Sequence, residues 1–132
     1  MDISCIELPG SEVGDVRIDG DQVVVRFSRA YIVKSMTGSR ERTRWWQAGE
    51  LIFTEATAES AGPKGPCICT GGDVSENVYT YRDMIPIPLD SRGMAHCDLR
   101  FEGTDERLIV RAGSVRLDLD DRPHYIEHIR ES

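Results

Sequence analysis

Polar and apolar residues alternate in three runs between Ala95 and Leu119, and a turn-like Gly-Thr-Asp-Glu at 103–106 separates the first two. Successive side chains of a β-strand point to opposite faces, so this period predicts strands with one buried and one hydrated face. The apolar positions are Ala95, Cys97, Leu99, Phe101, Leu108, Val110, Ala112, Val115, Leu117 and Leu119. Three such runs separated by short turns predict an antiparallel meander.

A β-hairpin is predicted earlier in the chain, from Val16 to Phe27. Its turn begins with Asp19 and Gly20, and Asp-Gly between β-branched runs is a strong hairpin signal because glycine adopts positive φ freely. The return strand is predicted to continue to Val33, with an irregularity near residues 28–29.

The other segments are assigned from the same signals. We predict strands at 45–57, 67–70 and 78–89, loops at 34–44 and 58–66, and a turn at 71–73. Gly49 is predicted to mark a bulge, and Pro86 and Pro88 to place the end of their strand at a sheet edge or outside the sheet. Residues 123–129 fit one helical face but are too few to separate a helix from a strand.

The length of 132 residues, with 39% hydrophobic and 30% charged residues, is typical of one globular domain. We therefore predict a single all-β domain over residues 1–132. Its expected architecture is an antiparallel β-sandwich or a partly closed β-barrel of about 7–9 short strands, with at most a short C-terminal helix.

The charge balance bears on location and partners. The start of the sequence is acidic and lacks the basic and apolar regions of a signal peptide. No apolar run is long enough for a membrane-spanning helix. We therefore expect a cytoplasmic protein with no membrane partner. The four cysteines are then expected to be reduced. A net charge of −7 disfavours nucleic acid as a partner, because such binding depends on cations that meet phosphates.

Two cysteines, Cys67 and Cys69, have a spacing that could contribute two thiolates to a soft metal site. On a strand their side chains share a face about 6.6 Å apart. A zinc site needs two further ligands, and the paired C-x-x-C spacing is absent, so we favour structural cysteines.

The richest local set of possible ligands lies in the segment Asp118–His128. His124 and His128 would lie about 6 Å apart on a helix, within chelating reach, but about 13 Å apart on a strand. With Asp120 and Asp121 they make a candidate metal or ligand site, although Asp-Asp-Arg-Pro at 120–123 is also typical of a hydrated turn.

Cations and aromatic side chains follow one another in the predicted loop Lys34–Trp46. Arginines precede Trp45 and Trp46, a combination used for stacking on single-stranded nucleic acid. We favour the simpler interpretation, in which one tryptophan enters the core and the arginines lie on a loop, because of the net acidic charge.

The segment 78–89 places an acid among apolar residues. Tyr79, Tyr81, Ile85, Ile87 and Leu89 are predicted to share a face with Asp83. A buried carboxylate needs a partner, so Asp83 is a candidate pocket acid, or it lies where the strand ends. A long apolar edge with two prolines also suits a subunit interface, so Tyr79 and Tyr81 are candidate interface residues.

The sequence contains none of the short motifs that mark nucleophile elbows, phosphate loops, dinucleotide folds or zinc proteases. No cofactor is expected. Our first hypothesis is a non-enzymatic interaction or structural module that forms a homo-oligomer or binds a protein partner. The second is a small ligand- or metal-binding barrel, with a hydrolase among the options, that uses segment Asp118–His128. The third is a single-strand binder that uses the Lys34–Trp46 loop.

Overall fold

The computed structural model describes residues 2–36, 38 and 40–129, and it places ten β-strands in this part of the chain. The strands are β1 (Asp2–Asp19), β2 (Gln22–Met36), β3 (Arg42–Thr54), β4 (Thr57–Ala61), β5 (Cys67–Glu76), β6 (Tyr79–Arg82), β7 (Met84–Ile87), β8 (Asp90–Phe101), β9 (Leu108–Leu119) and β10 (His124–Ile129). Among the described residues there is no helix of the length and apolar character that crossing a membrane requires.

Six of these strands form a closed antiparallel barrel. The order is β3-β2-β1-β5-β8-β9, and pairing of β3 with β9 closes the ring. The predicted all-β fold is confirmed. The described part of the chain contains ten strands where 7–9 were predicted, and of the two predicted architectures, a sandwich or a partly closed barrel, it has a barrel, which is closed. Several strands are long, since β1 alone has 18 residues.

The barrel closes where β3 changes its partner. The first half of β3 pairs with β10, and the half from Gly49 to Thr54 pairs with β9. A Cβ atom on Gly49 would lie 2.8 Å from Leu119 Cδ2 and 2.9 Å from the Asp118 carbonyl oxygen. Gly49 therefore permits the close approach of β3 and β9. The irregularity predicted near residues 28–29 is confirmed, since the register of β2 on β3 shifts between Phe27 and Ala30, whereas the bulge predicted at Gly49 is absent because Gly49 pairs regularly with Leu119.

The sheet extends beyond the barrel along the first half of β1. Near its start β1 pairs with β7, and it pairs with β5 at Glu12 and Val13, within a series of register shifts between Glu7 and Asp15. Ser11 is fully buried at this bend, where its hydroxyl donates to the Glu7 carbonyl and accepts from the Tyr31 amide. The C-terminal segment is a strand, β10, rather than a short helix, because it adds to the edge of β3.

The barrel interior holds the core predicted from the alternation. Fully buried residues include Ile6, Leu8, Val23, Val25, Phe27, Leu51, Phe53, Val74, Cys97, Leu99, Leu108 and Val110. The three predicted runs between Ala95 and Leu119 form two strands, since the second and third runs are both in β9. The apolar phase changes near residue 113, where β9 passes from pairing with β4 to pairing with β3.

Four local predictions differ from the structure. The predicted loop at 58–66 contains β4, and the predicted loop at 34–44 is shorter because β2 and β3 extend into it; Thr37 and Ser39 of that loop lie outside the described residues. The predicted turn at 71–73 lies inside β5. The predicted strand at 78–89 is divided into β6 and β7 at Asp83.

Candidate functional site

The two adjacent tryptophans point to opposite faces of β3, as neighbouring strand residues do. Trp45 packs partly against the core, with the Lys34 Nζ atom 4.5 Å from its ring centroid and the Tyr125 ring edge-on at 5.2 Å. Trp46 on the other face has the Arg29 guanidinium at 4.4 Å and the His124 ring stacked at 4.2 Å. The two indoles therefore do not form one platform for successive bases.

The predicted metal or ligand residues of segment Asp118–His128 have other partners. His124 stacks on Trp46, and His128 Nε2 lies 2.9 Å from Glu41 Oε2. Asp121 is an exposed residue with positive φ after β9. Among the residues described by the structure, no three His, Cys, Asp or Glu side chains are arranged to hold one metal ion.

Asp120 closes the barrel rather than joining the histidines. Its carboxylate accepts a hydrogen bond from Arg26 on β2, which lowers the pKa of Asp120. The same contact raises the pKa of Arg26. The Asp120 backbone carbonyl accepts a bond from the Gln47 side chain, and its amide donates to the Ala48 carbonyl. These contacts attach the end of β9 to β3.

Cys67 and Cys69 begin β5 and lie on the inner side of the strand. Cys69 is fully buried and Cys67 is half-buried, and both thiols are free. Burial raises the pKa of Cys69 to about 11 and also raises the pKa of Cys67. Thiols with raised pKa values are poor nucleophiles and poor thiolate donors at neutral pH.

Asp83 is a structural residue between β6 and β7. Its φ is 60°, and one carboxylate oxygen accepts a hydrogen bond of 2.9 Å from the Gly72 amide. The Asp83 amide donates to the Gly72 carbonyl, and its carbonyl accepts from the Leu8 amide. The Arg100 guanidinium lies 3.7 Å from the same carboxylate. The alternative in which Asp83 lies at a strand end therefore matches the structure.

Tyr79 and Tyr81 stack on the same face of β6, with their ring centroids 6.5 Å apart. Burial and the neighbouring Glu76 carboxylate raise the pKa of Tyr81. The two rings extend the inner face of β5 and β6 beyond the core residue Val74, which pairs with Tyr81. Tyr79 remains 60% exposed at the end of this row.

Two further exposed apolar side chains lie near Tyr79, Val78 in the β5–β6 turn and Met94 on β8. Val78 is 89% exposed and Met94 is 79% exposed. The Asn77 amide donates a 2.6 Å hydrogen bond to the Met94 carbonyl, and the Asn77 side chain donates to the Arg92 carbonyl. These bonds fix the hairpin turn against β8, at the place where the register of β8 on β9 shifts between Arg92 and Ala95. We call the exposed side chains of Val78, Tyr79 and Met94 the tip patch.

A groove of about 450 Å³ lies beside the tip patch. It is lined by Ser75, Asn77, Met94, Ala95, His96, Arg111 and Ala112. Of these seven lining residues, Arg111 alone carries a permanent charge, and it forms an ion pair with Glu59. We call this feature the tip groove.

The sequence pattern indicated Tyr79 but not Val78 or Met94 as surface residues of interest. The two are separated by fifteen residues in the sequence. A hairpin signal at Asn77 could have identified the turn, because asparagine tolerates the positive φ of 49° found there. The pairing of this turn with β8 depends on the fold.

A second concave surface lies on the outside of β3, β8 and β9. It has a volume of about 390 Å³, and charged side chains from β8, β9 and the β3–β4 turn surround it. None of its residues was predicted from the sequence as a site. Comparison with protein-family models, with curated proteins and with solved structures finds no match for this chain.

Proposed function

We propose that this protein is a non-enzymatic cytoplasmic interaction module, and that the partner it binds through the tip patch is a second copy of itself. The observation that carries the proposal is the exposure of three large apolar side chains at one end of the sheet. Val78, Met94 and Tyr79 are 89%, 79% and 60% exposed. A contiguous apolar patch that is rimmed by polar residues is typical of an interaction surface.

The charge distribution supports a second copy as the occupant. Each chain carries a net charge of −7, so two copies repel one another over most of their surfaces. Charge is sparse at the tip groove, where Arg111 is paired with Glu59. No carboxylate lines the tip groove, so two identical chains can approach there, and the acid at its border, Glu76, is opposite Tyr79 and hydrogen-bonded to Tyr81.

The arrangement of protrusion and groove also suits a two-fold contact. Met94 belongs both to the tip patch and to the lining of the tip groove, so the groove begins beside this protruding side chain. A two-fold axis beside this surface would place Val78 of each copy in the groove of the other. Such isologous contacts are the commonest in homo-oligomers.

Size-exclusion chromatography with light scattering tests the proposal. We expect the mass to rise from one towards two chains between about 5 and 500 µM, the range of a modest interface with a micromolar dissociation constant. Changing both Val78→Ser and Met94→Ser should weaken association by at least about tenfold, because each side chain would lie at the centre of the interface.

The matched control changes two exposed isoleucines outside the tip patch. Ile18 and Ile68 are 49% and 41% exposed. The double variant Ile18→Ser, Ile68→Ser makes the same type of change, with a smaller exposed apolar surface, and should associate as the unmodified protein does. Far-ultraviolet circular dichroism checks that both double variants keep the strand content. A mass of one chain up to about 500 µM in the unmodified protein, or equal loss in both double variants, overturns the proposal.

A further inference from the structure

The concave surface on the outside of β3, β8 and β9 carries a balanced set of charges, and we call it the charged cleft. Its polar liners are Thr54, Glu55, Asp90, Arg92, Ser114 and Arg116. Its volume of about 390 Å³ is within the range of small-molecule sites in proteins. Ile52, which is 5% exposed, forms part of its apolar floor.

The strand register arranges these side chains in two rows. In the first row, Asp90 is opposite Arg116, which is opposite Ile52. In the second row, Arg92 is opposite Ser114, and the Ser114 hydroxyl is hydrogen-bonded to that of Thr54. Because directly opposite residues share a face, all of these side chains are on the outer surface.

The two arginines occupy diagonal positions on neighbouring strands. Arg92 is opposite Ser114, and Arg116 follows two residues later on the same strand. Diagonal neighbours in a sheet lie about 7–8 Å apart, so one carboxylate can accept from both guanidinium groups. The second row lies between the two acids of the cleft. Asp90 is in the first row, on one side of it, and Glu55, which follows β3, is on the other side.

The charged groups of the cleft have no salt-bridge partners in the described part of the chain. Glu55, Asp90, Arg92 and Arg116 form no ion pair there, although Asp90 and Arg116 are register partners. Arg111, on the same strand as Arg116, is paired with Glu59. The cleft thus presents two carboxylates and two guanidinium groups that form no salt bridges with one another.

We propose that the charged cleft binds a small zwitterion with an α-ammonium group and a carboxylate, such as a free amino acid or a short peptide. The guanidinium groups of Arg92 and Arg116 bind the carboxylate, and the carboxylate of Asp90 binds the ammonium group, while Glu55 adds a second negative charge on the other side of the second row. A purely anionic ligand would face both acids, and a purely cationic ligand both arginines. The balanced lining therefore selects a ligand that carries both charges.

Titration of the ¹⁵N-labelled full chain with glycylglycine tests this proposal. We expect amide shifts at residues 54–55, 90–92 and 113–116, with a dissociation constant on the order of 1 mM for so small a ligand. N-acetylglycylglycine lacks the ammonium group and glycylglycinamide lacks the carboxylate. Each should bind at least about tenfold more weakly.

Two variants and two matched controls assign the binding to the cleft. Arg116→Ala and Asp90→Asn should each weaken glycylglycine binding by about tenfold or more. Arg111→Ala and Asp118→Asn, which change the same residue types on β9 outside the cleft, should bind as the unmodified protein does. The proposal is overturned by an absence of shifts up to 50 mM peptide, by equal titrations with the three peptides, or by equal losses in the variants and their controls.

Discussion

Substitution of Gly49 by alanine tests how the barrel closes. The added Cβ would lie 2.8 Å from Leu119 Cδ2 and 2.9 Å from the Asp118 carbonyl oxygen. The leucine side chain can move, but the backbone oxygen belongs to the β3–β9 ladder and cannot move without weakening it. Overpacking of this kind costs about 1–3 kcal/mol, so we expect a loss of about 2 kcal/mol.

Urea unfolding monitored by tryptophan fluorescence measures this loss, since both tryptophans lie in β3. With a denaturant slope of about 1.5 kcal/mol per molar, a loss of about 2 kcal/mol lowers the unfolding midpoint by about 1.3 M.

Gly14→Ala is the matched control. Its Cβ would meet its nearest neighbours at 3.7 Å, an ordinary contact distance, and its φ is outside the left-handed region. Its free energy of unfolding should change by less than about 0.5 kcal/mol. A midpoint for Gly49→Ala within about 0.3 M of the unmodified protein, or equal shifts in the two variants, would refute this account of the closure.

Three further predictions concern residues that the sequence had suggested as sites. The Arg26 contact lowers the pKa of Asp120 in the folded protein. The ionised Asp120 carboxylate therefore stabilises the fold fully above its usual pKa of 3.8, and this stabilisation is lost as the pH falls through the lower folded pKa. Asp120→Asn should unfold at a lower urea concentration than the unmodified protein at pH 7, and the difference between the two midpoints should shrink by pH 2.5. Asp83→Ala should cost about 2 kcal/mol in urea unfolding and Asp83→Asn less than about 1 kcal/mol, because asparagine keeps both the acceptor for the Gly72 amide and tolerance of positive φ; equal costs would contradict the assigned role. Native protein treated with a thiol reagent at pH 8 should be labelled at Cys67 well before Cys69, and equal labelling rates would contradict the burial of Cys69.

The all-β fold could be predicted because it depends on local pattern. The alternation over Ala95–Leu119 follows from a sheet with one hydrated face, and it survives in β8 and β9. The Asp19-Gly20 hairpin likewise depends on the conformational preference of two residues, and the structure has the turn there.

Other elements depend on contacts between distant segments. Gly71 and Gly72 were assigned to a turn, but they lie within β5, where a Cβ on Gly72 would be 2.2 Å from the Asp98 carbonyl oxygen. Sequence alone does not separate a glycine that makes a turn from one that makes room for a neighbouring strand. The first half of β1 shows no strict alternation, and its pairing with β2 and β7 produces the strand.

The candidate sites were less predictable than the fold. His124 and His128 were grouped as potential ligands because they are close in sequence, but in the strand β10 they contact Trp46 and Glu41 instead. The tip patch joins Val78 to Met94 through the backbone of Asn77, a contact that no local pattern specifies. The charged cleft likewise combines residues from three strands.

Methyl NMR of the four methionines tests the proposed self-association most directly. In protein labelled with ¹³C at the methionine methyl groups, the Met94 resonance should shift and broaden progressively as the concentration rises from about 10 to 500 µM. Met36 is also exposed, at 64%, and its backbone pairs with Asp2 at the far end of β2, so its resonance should stay unchanged. A Met94 resonance that is constant over this range, or that moves no more than that of Met36, would contradict the proposal.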